Sequence, residues 1–333
     1  MNIRIGRPLW MAGVALTVVS VLSGCGGLGS KTLPPGPQRP VLKDISGPEP
    51  SIPPLPATAD DPSKPLDFQA GGAAIRPDGS LILPLDAYEP AGARDVLARA
   101  TTVLAQQCMR AKGLELPASL MEQAASKPPP PSVIYGIFDL NDAKAYGYRL
   151  PPQPADSVAP TGGGEVTEAV KQAYFDDRKQ KKPGCRSEAQ SQLNAERAMD
   201  DGVYLQDLRS EARTATYQDS RVKAATVKWS GCMKAAGFDY PDPKAPAHDR
   251  SLLGKGLPTP AGAALPPTSP AEIVVAVTDV TCKRQTQYLE TVALVTAAYE
   301  KEIIEKQVQR LQQGQENWKQ QVQNANKVLE ISR

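Results

Sequence analysis

Four of the five cysteines occur in two repeated sequence frames, so they could form either a reactive site or structural crosslinks. The stretch "CMRAKGLELP" begins at Cys108, and the similar stretch "CMKAAGFDYP" begins at Cys232. One further cysteine follows each stretch, Cys185 after the first and Cys282 after the second. A redox centre usually has a C-x-x-C pair or a nearby cation that lowers the thiol pKa, and neither frame offers a C-x-x-C pair or a neighbouring histidine. The pattern therefore favours structural disulfides.

The repeat also favours one pairing among the three that four cysteines allow. Residues 100–117 and 224–241 align without gaps at an offset of 124. Because each bridge would then close its own unit, we predict the pairs Cys108–Cys185 and Cys232–Cys282. In an oxidising compartment, closing loops of about 77 and about 50 residues should stabilise the fold by a few kcal/mol each.

Both copies of the repeat carry the same signals for the end of a helix. A helix is predicted to run through the cysteine and to stop at Gly113 or Gly237, because glycine adopts the left-handed conformation that ends many helices. Pro117 and Pro241 follow and prevent the helix from resuming. The duplication therefore predicts two related helical units.

No other motif indicates catalysis, a cofactor or a metal ion. His248 is the only histidine, and it lies in the proline-rich stretch "PAHDR", which is a poor place to position an imidazole. One histidine and paired cysteines cannot supply a zinc site. The chain has neither a phosphate-binding loop nor a G-x-G-x-x-G motif. We predict no catalytic, cofactor-binding or metal-ligating residue.

A concentration of aromatic residues marks the stretch "VIYGIFDLNDAKAYGYRLPP", residues 133–152. It contains Tyr135, Phe138, Tyr146 and Tyr148, a large share of the 14 Tyr and Phe residues. Aromatic faces with polar edges bind sugars and peptides, and the same rings fill hydrophobic cores. The alanine-rich composition favours the core interpretation, and a ligand or glycan site is the alternative.

The first 25 residues predict export and a lipid anchor. Arg4 and Arg7 precede an apolar run over 8–22 that is too short to span a bilayer, as in the signal peptide of a secreted protein. The run ends in "LSGC", which resembles the lipobox of bacterial lipoproteins. That resemblance implies removal of 1–24 and alkylation of Cys25 with diacylglycerol. The alternative is an ordinary secretory signal with an incidental cysteine.

The composition of the remaining chain argues against nucleic acid as a partner. Without the two arginines of the signal peptide, 36 basic residues balance 36 acidic residues. Nucleic-acid binding would favour an excess of Lys and Arg. Eleven of the 33 prolines lie within 34–65 and eight lie within 241–270, so both stretches are predicted to be extended linkers.

The rest of the sequence predicts long helices. Apolar residues recur at helical spacing over 187–233, which indicates one helix or two helices with a kink at Gly202. Ser269, with Pro270 at the first and Glu272 at the third helical position, marks the start of a C-terminal helical region. Its later part has heptad-like spacing, formed by Leu311, Gln315, Trp318, Val322, Ala325 and Leu329. This spacing predicts an antiparallel pair with 187–233, and a dimer or a partner-binding coiled coil is the alternative.

Together these features predict a mostly α fold of long antiparallel helices in two related disulfide-closed units with proline-rich linkers. The predicted segments are a signal peptide (1–24), a lipid-anchored tether (25–70), a first unit (71–186), and a connecting helix with the second unit (187–333). "GSLILPLDAY" at 79–88 is predicted to be a short strand or extended segment before a helix that starts near residue 91.

Several motifs in this order resemble a family of uncharacterised secreted lipoproteins of actinobacteria. They are the lipobox, the proline-rich tether, "LPLDAY", "CMRAKG", "AYGYRLP", "GCRSEAQSQL" and "EIVVAVTDVTCKRQTQ". The resemblance covers nearly all of the chain after the signal peptide. It implies the localisation and the architecture, and it supplies no catalytic residues.

The expected function is that of a membrane-anchored, extracytoplasmic and non-enzymatic envelope protein that binds an envelope protein or cell-wall partner through its long helices. The alternative is a small-ligand or glycan-binding lipoprotein that uses the 133–152 aromatics. A carboxylate-dependent hydrolase is a third interpretation. An exposed apolar stripe on the C-terminal helix would favour the first, an open aromatic pocket the second, and two facing carboxylates in a cleft the third. The oligomeric state stays open.

Overall fold

A computed structural model describes the chain over 47–55, 66–76, 80–124, 135–149, 166–177, 180, 182–249, 251–252 and 268–331. The chain divides into the units Met1–Gly36 and Pro37–Arg333, and all described residues belong to the second. The predicted signal peptide and the lipidation site Cys25 lie outside the described residues.

The described residues are mostly helical, which confirms the predicted fold class. The α-helices are α1 (Ala93–Ala111), α2 (Ala118–Ala124), α3 (Leu140–Tyr146), α4 (Glu168–Tyr174), α5 (Cys185–Gln192), α6 (Ala195–Gln218), α7 (Ser220–Ala235), α8 (Pro270–Gln285) and α9 (Tyr288–Ile331). Among the described residues, two short 3₁₀ helices cover Pro84–Tyr88 and Pro246–His248. The second lies in the stretch 241–270 that was predicted to be an extended linker, and Pro243 and Pro246 are buried, so residues 241–249 pack into the fold. The helix predicted to start near residue 91 begins at Ala93.

A small antiparallel sheet precedes the first helix. Its strands are β1 (Phe68–Ala70), β2 (Ala73–Ile75) and β3 (Leu81–Ile82), in the order β1-β2-β3. β3 lies within the predicted extended segment 79–88. β1 lies within the predicted tether 25–70, and Phe68 is buried in the main core, so the folded part begins before residue 71.

The prediction of one helix over 187–233, or of two with a kink at Gly202, is wrong. The chain breaks instead at Asn194, which has a left-handed φ of 54°, and at Asp219, which is extended with ψ of 138°. Asp219 then caps α7, because its side chain accepts a hydrogen bond from the backbone N–H of Arg221. Gly202 lies inside α6, where a Cβ atom would sit 3.6 Å from the ring of Trp318.

The C-terminal region is two helices with a sharp break. Ser269 caps α8 as predicted, since its hydroxyl accepts from the N–H of Glu272 at 3.1 Å and Pro270 takes the first helical position. α8 ends at Gln285, and Gln287 adopts a left-handed φ of 51° before α9 begins. Within α9, Gln307 departs from helical geometry with φ of −124°.

The heptad-like stripe of α9 packs inside the same chain. Thr216 of α6 contacts Thr296 at 3.1 Å, and Tyr204 contacts Gln307 at 2.7 Å, so α6 and α9 run antiparallel. Farther along α9, Trp318 and Ala325 pack against α1 in a second core cluster. The intramolecular interpretation is therefore confirmed, with α1 as an additional partner that the sequence did not indicate.

The two copies of the repeat end with the same hydrogen-bond pattern. Gly113 and Gly237 both have left-handed φ values, 72° and 91°. The next residue in each copy, Leu114 or Phe238, donates its N–H back to the carbonyl of Met109 or Met233 at 2.9 Å. This Schellman geometry confirms the predicted helix ends.

Both predicted disulfides are present. Cys108–Cys185 joins α1 to α5 with a Cα–Cα distance of 5.6 Å, and Cys232–Cys282 joins α7 to α8 at 5.7 Å. Each bridge lies within one repeat unit, as the duplication predicted.

Candidate functional site

The four aromatic residues of the 133–152 stretch divide between two places in the fold. Tyr135 and Phe138 are half-buried against the main core of the sheet, α6, α7 and α9. Tyr148 packs instead on smaller clusters around α8. Tyr146 is half-buried, and its carbonyl accepts from the hydroxyl of Thr268 at 3.3 Å. The residues do not form one continuous aromatic surface.

Tyr135 and Phe138 line a small apolar cavity between the sheet and α9. The other lining residues are Ile75, Leu81, Leu289, Val292 and Ala293. The cavity has room for roughly one water molecule. That size fits a packing defect in a core better than a binding site for a sugar or a peptide.

A buried network of charged and aromatic groups lies on α8. We call Asp279, Lys283, Tyr148, Trp229 and the carbonyl of Ile137 the Asp279 network. The side chains of Asp279 and Lys283 are fully buried, and Lys283 Nζ lies 3.0 Å from Asp279 Oδ2. Lys283 also donates to the carbonyl of Ile137 at 2.9 Å. The network therefore holds the segment before α3 against α8.

Asp279 has hydrogen-bond donors on both of its carboxylate oxygens. Trp229 Nε1 donates to Oδ1 at 2.9 Å, while Lys283 at 3.0 Å and the hydroxyl of Tyr148 at 3.3 Å donate to Oδ2. Burial raises the pKa of Asp279, whereas Lys283 and the hydrogen bonds lower it. With both oxygens bonded inside the protein, this carboxylate has a structural role rather than that of a general base facing a substrate.

Glu272 extends the same buried face two turns toward the start of α8. Its Oε1 accepts from the backbone N–H of Tyr148 at 3.1 Å, and Arg149 lies 3.9 Å from Oε2. Gly147 passes close to this carboxylate, since a Cβ atom there would lie 2.7 Å from Oε1. Its φ of 61° also favours glycine. Glu272 therefore fixes the path of the chain after α3.

Replacing Tyr148 by phenylalanine tests the structural role of the network. Tyr148→Phe removes one donor to Asp279 and should lower the free energy of unfolding by about 1 kcal/mol. Tyr146→Phe is the matched control, since the Tyr146 hydroxyl makes no hydrogen bond to the described residues. The double change Tyr146→Ala/Tyr148→Ala should lower the melting temperature further. Unchanged stability together with loss of an envelope ligand would identify a binding surface instead.

Another buried carboxyl group lies on α9. Glu300 Oε2 accepts from the backbone N–H of Leu85 at 2.8 Å, and both residues are buried. Burial, together with nearby Asp86, raises the pKa of Glu300 to about 8, although the hydrogen bond from Leu85 and the charge of Arg209 oppose the shift. The contact holds the 3₁₀ helix Pro84–Tyr88 against α9.

Glu300 should make stability fall as pH rises. The folded chain keeps a proton on Glu300 up to about pH 8, whereas the unfolded chain loses it near 4.5. Between pH 6 and pH 8 the free energy of unfolding should therefore fall by about 2 kcal/mol from this residue. Urea denaturation should show this fall in wild type and in the exposed control Glu305→Gln, but not in Glu300→Gln. An equal fall in Glu300→Gln would contradict the assignment.

The middle of the predicted tether docks at the start of α7. The Glu49 carboxylate accepts from the N–H of Ser220 at 2.5 Å and from its hydroxyl at 2.7 Å. Arg221 donates to the carbonyl of Pro50 at 2.8 Å and bonds Asp219 at 2.6 Å. This cluster fixes where residues 47–55 join the folded part.

The remaining sequence candidates do not form a reactive site within the described residues. His248 is exposed, and its Nδ1 lies 2.8 Å from the carbonyl oxygen of Lys244. Cys108, Cys185 and Glu188 are close enough to suggest a metal site, but both sulfur atoms belong to the disulfide. The carboxylates that sequence reasoning missed are Glu272, Asp279 and Glu300.

Comparison with protein-family models, with curated proteins and with solved structures finds no match to this chain. Among the described helices, none combines the length and the apolar character that crossing a bilayer requires.

Proposed function

We propose that this chain is a lipid-anchored, extracytoplasmic and non-enzymatic component of the cell envelope that acts by binding a protein partner. The observation that supports this proposal best is that the buried carboxyl groups bond to other parts of the chain. Asp279, Glu272 and Glu300 bond to neighbouring chain segments. None of these three residues lines the cavity beside Tyr135. These carboxylates stabilise the fold and leave the helical surface for recognition.

The two disulfides fit a chain that works outside the cytoplasm, where oxidising conditions preserve such bonds. The docking of Glu49 on Ser220 fits a tether that joins the folded part at residues 47–55. Diacylglycerol on Cys25 would then give stable membrane attachment, because two acyl chains anchor a protein stably whereas a single chain binds the membrane only weakly.

Fractionation of cells that produce Cys25→Ser tests the anchor. Wild type should sediment with the membrane and partition into detergent, whereas Cys25→Ser should appear in the soluble exported fraction. The matched control is Ser23→Ala, which changes the same segment and should keep the chain on the membrane. Membrane retention of Cys25→Ser would contradict lipidation.

Binding of a small ligand or glycan at the aromatic stretch is the second candidate. Its supporting observation is the cavity beside Tyr135 and Phe138. A sugar would have to displace these rings, so thermal stabilisation of wild type by envelope glycan fragments, lost in Tyr135→Ala, is the result that would favour it.

A further inference from the structure

The repeated helices α1 and α7 bury one face in common. The aligned pairs Ala105/Trp229 and Met109/Met233 are fully buried in both units. In each unit this face meets the cluster that contains the buried cysteine of the disulfide, Cys185 or Cys282. The repeat therefore has the same inner face in both copies.

Part of a second face of the repeat is covered in the first unit and exposed in the second. Ala100 is fully buried, but the aligned Ala224 is exposed. Val103 is half-buried, whereas the aligned Val227 is 71% exposed. At Gly231, an added Cβ atom would meet no other atom within 4 Å. We call Lys223, Ala224, Val227, Lys228 and Gly231 the open α7 face.

In the first unit a helix covers the corresponding face. Ala100 and Leu104 of α1, which align with Ala224 and Lys228, pack in one core cluster with Trp318 and Ala325 of α9. At these aligned positions α9 covers the first unit, whereas Ala224 and Lys228 lie exposed within the described part of the second. This internal precedent indicates that the open α7 face is suited to a helix.

We propose that the open α7 face docks an acidic amphipathic helix of a second envelope protein. Lys223, Lys228 and Lys234 are all exposed, and no acidic residue occurs between 220 and 238. Acidic residues beside an apolar stripe would complement this charge. Ala224 and Gly231 leave space for the close approach of another backbone.

Two other occupants fit the face less well. A membrane surface favours large apolar side chains at the interface, and this face offers only Val227 with alanine and glycine. A second copy of this chain would have to supply its α9 to cover the face. The α9 residues Trp318 and Ala325 are already buried against α1 of their own chain. A helix from a different protein is therefore the occupant that the repeat and the charge favour.

In-cell photo-crosslinking of the full chain with its lipid anchor tests this inference, which rests on the proposed function. Val227 is replaced by p-benzoylphenylalanine, with the same replacement at Val203, which is 54% exposed on α6, as the matched control. We expect a crosslink at 227 and not at 203, to a peptide with net negative charge and helical apolar spacing. K223E/K228E should reduce its yield at least tenfold without changing the melting temperature, because both lysines are exposed.

The outcomes separate the docking face from the proposed function. A crosslink from 227 to lipid, to a second copy of the chain or to a basic peptide would overturn the inference. So would a yield that K223E/K228E leaves unchanged. A protein crosslinked at 203 but not at 227 would overturn the docking face and leave the proposed function standing. A pull-down with a general lysine crosslinker that recovers no protein would overturn both.

Discussion

Replacing Lys283 by methionine should lower the free energy of unfolding by about 3 to 5 kcal/mol. The change leaves Asp279 fully buried without the cation that lies 3.0 Å away. Trp229 and Tyr148 still donate hydrogen bonds to Asp279, but they carry no compensating charge. Urea denaturation of the variant measures the loss.

A partly exposed ion pair with the same i,i+4 spacing provides the matched control. Lys306 lies 3.6 Å from Glu302 one turn earlier on α9, and both side chains are partly exposed. Lys306→Met should lower the free energy of unfolding by less than about 0.5 kcal/mol, because water and salt screen an exposed pair. The double variant D279L/K283M should be more stable than K283M alone, since it removes both buried charges. Equal losses for Lys283→Met and Lys306→Met would show that the Asp279 network does not hold the fold.

Removing either disulfide should lower the free energy of unfolding by about 4 kcal/mol. The bridge Cys108–Cys185 closes a separation of 77 residues and Cys232–Cys282 one of 50, so the loss should be slightly larger for C108S/C185S than for C232S/C282S. Denaturation of each double variant, compared with wild type under non-reducing conditions, measures the effect.

Adding a thiol reductant provides the control for this prediction. Reductant should destabilise wild type by about the sum of the two losses and should affect each double variant through its remaining bridge only. Losses below about 1 kcal/mol, or free thiols at Cys108 and Cys232 in mass mapping, would contradict the crosslinking role.

Features encoded in a few adjacent residues could be predicted from the sequence. Gly113 and Gly237 end their helices because glycine alone takes the left-handed conformation without strain. Ser269 begins α8 because its hydroxyl bonds a free backbone N–H. The disulfide pairing followed from the repeat. For the two helix ends and the helix start, the physical cause lies within a few adjacent residues, and for the disulfides it lies in the duplication.

Breaks set by tertiary contacts could not be predicted. Asn194 and Gln287 take left-handed backbone conformations without a glycine or proline to mark them. Asp219 ends one helix and begins the next while its carboxylate bonds Arg221 and Tyr299. The strands have two or three residues each, too few for an alternating pattern to be recognised.

The buried charges of the candidate site did leave a signal in the sequence. Glu272, Asp279 and Lys283 are spaced by seven and four residues, which places them on one face of a helix whose neighbouring positions are valine and alanine. Charges on an otherwise apolar face indicate buried pairing. The packing of the aromatic stretch was harder to predict, because Tyr135 and Tyr148 are close in sequence but pack on different clusters.

We propose that this chain acts by binding a protein outside the cytoplasm and that its buried ionisable residues hold the fold. A crosslinking pull-down from membranes tests it most directly, with the acyl anchor intact, for wild type and for the folded double variant D279L/K283M. We predict that both recover the same protein partner in equal yield. Loss of that partner from the folded double variant, or recovery of no partner by either chain, would contradict the claim.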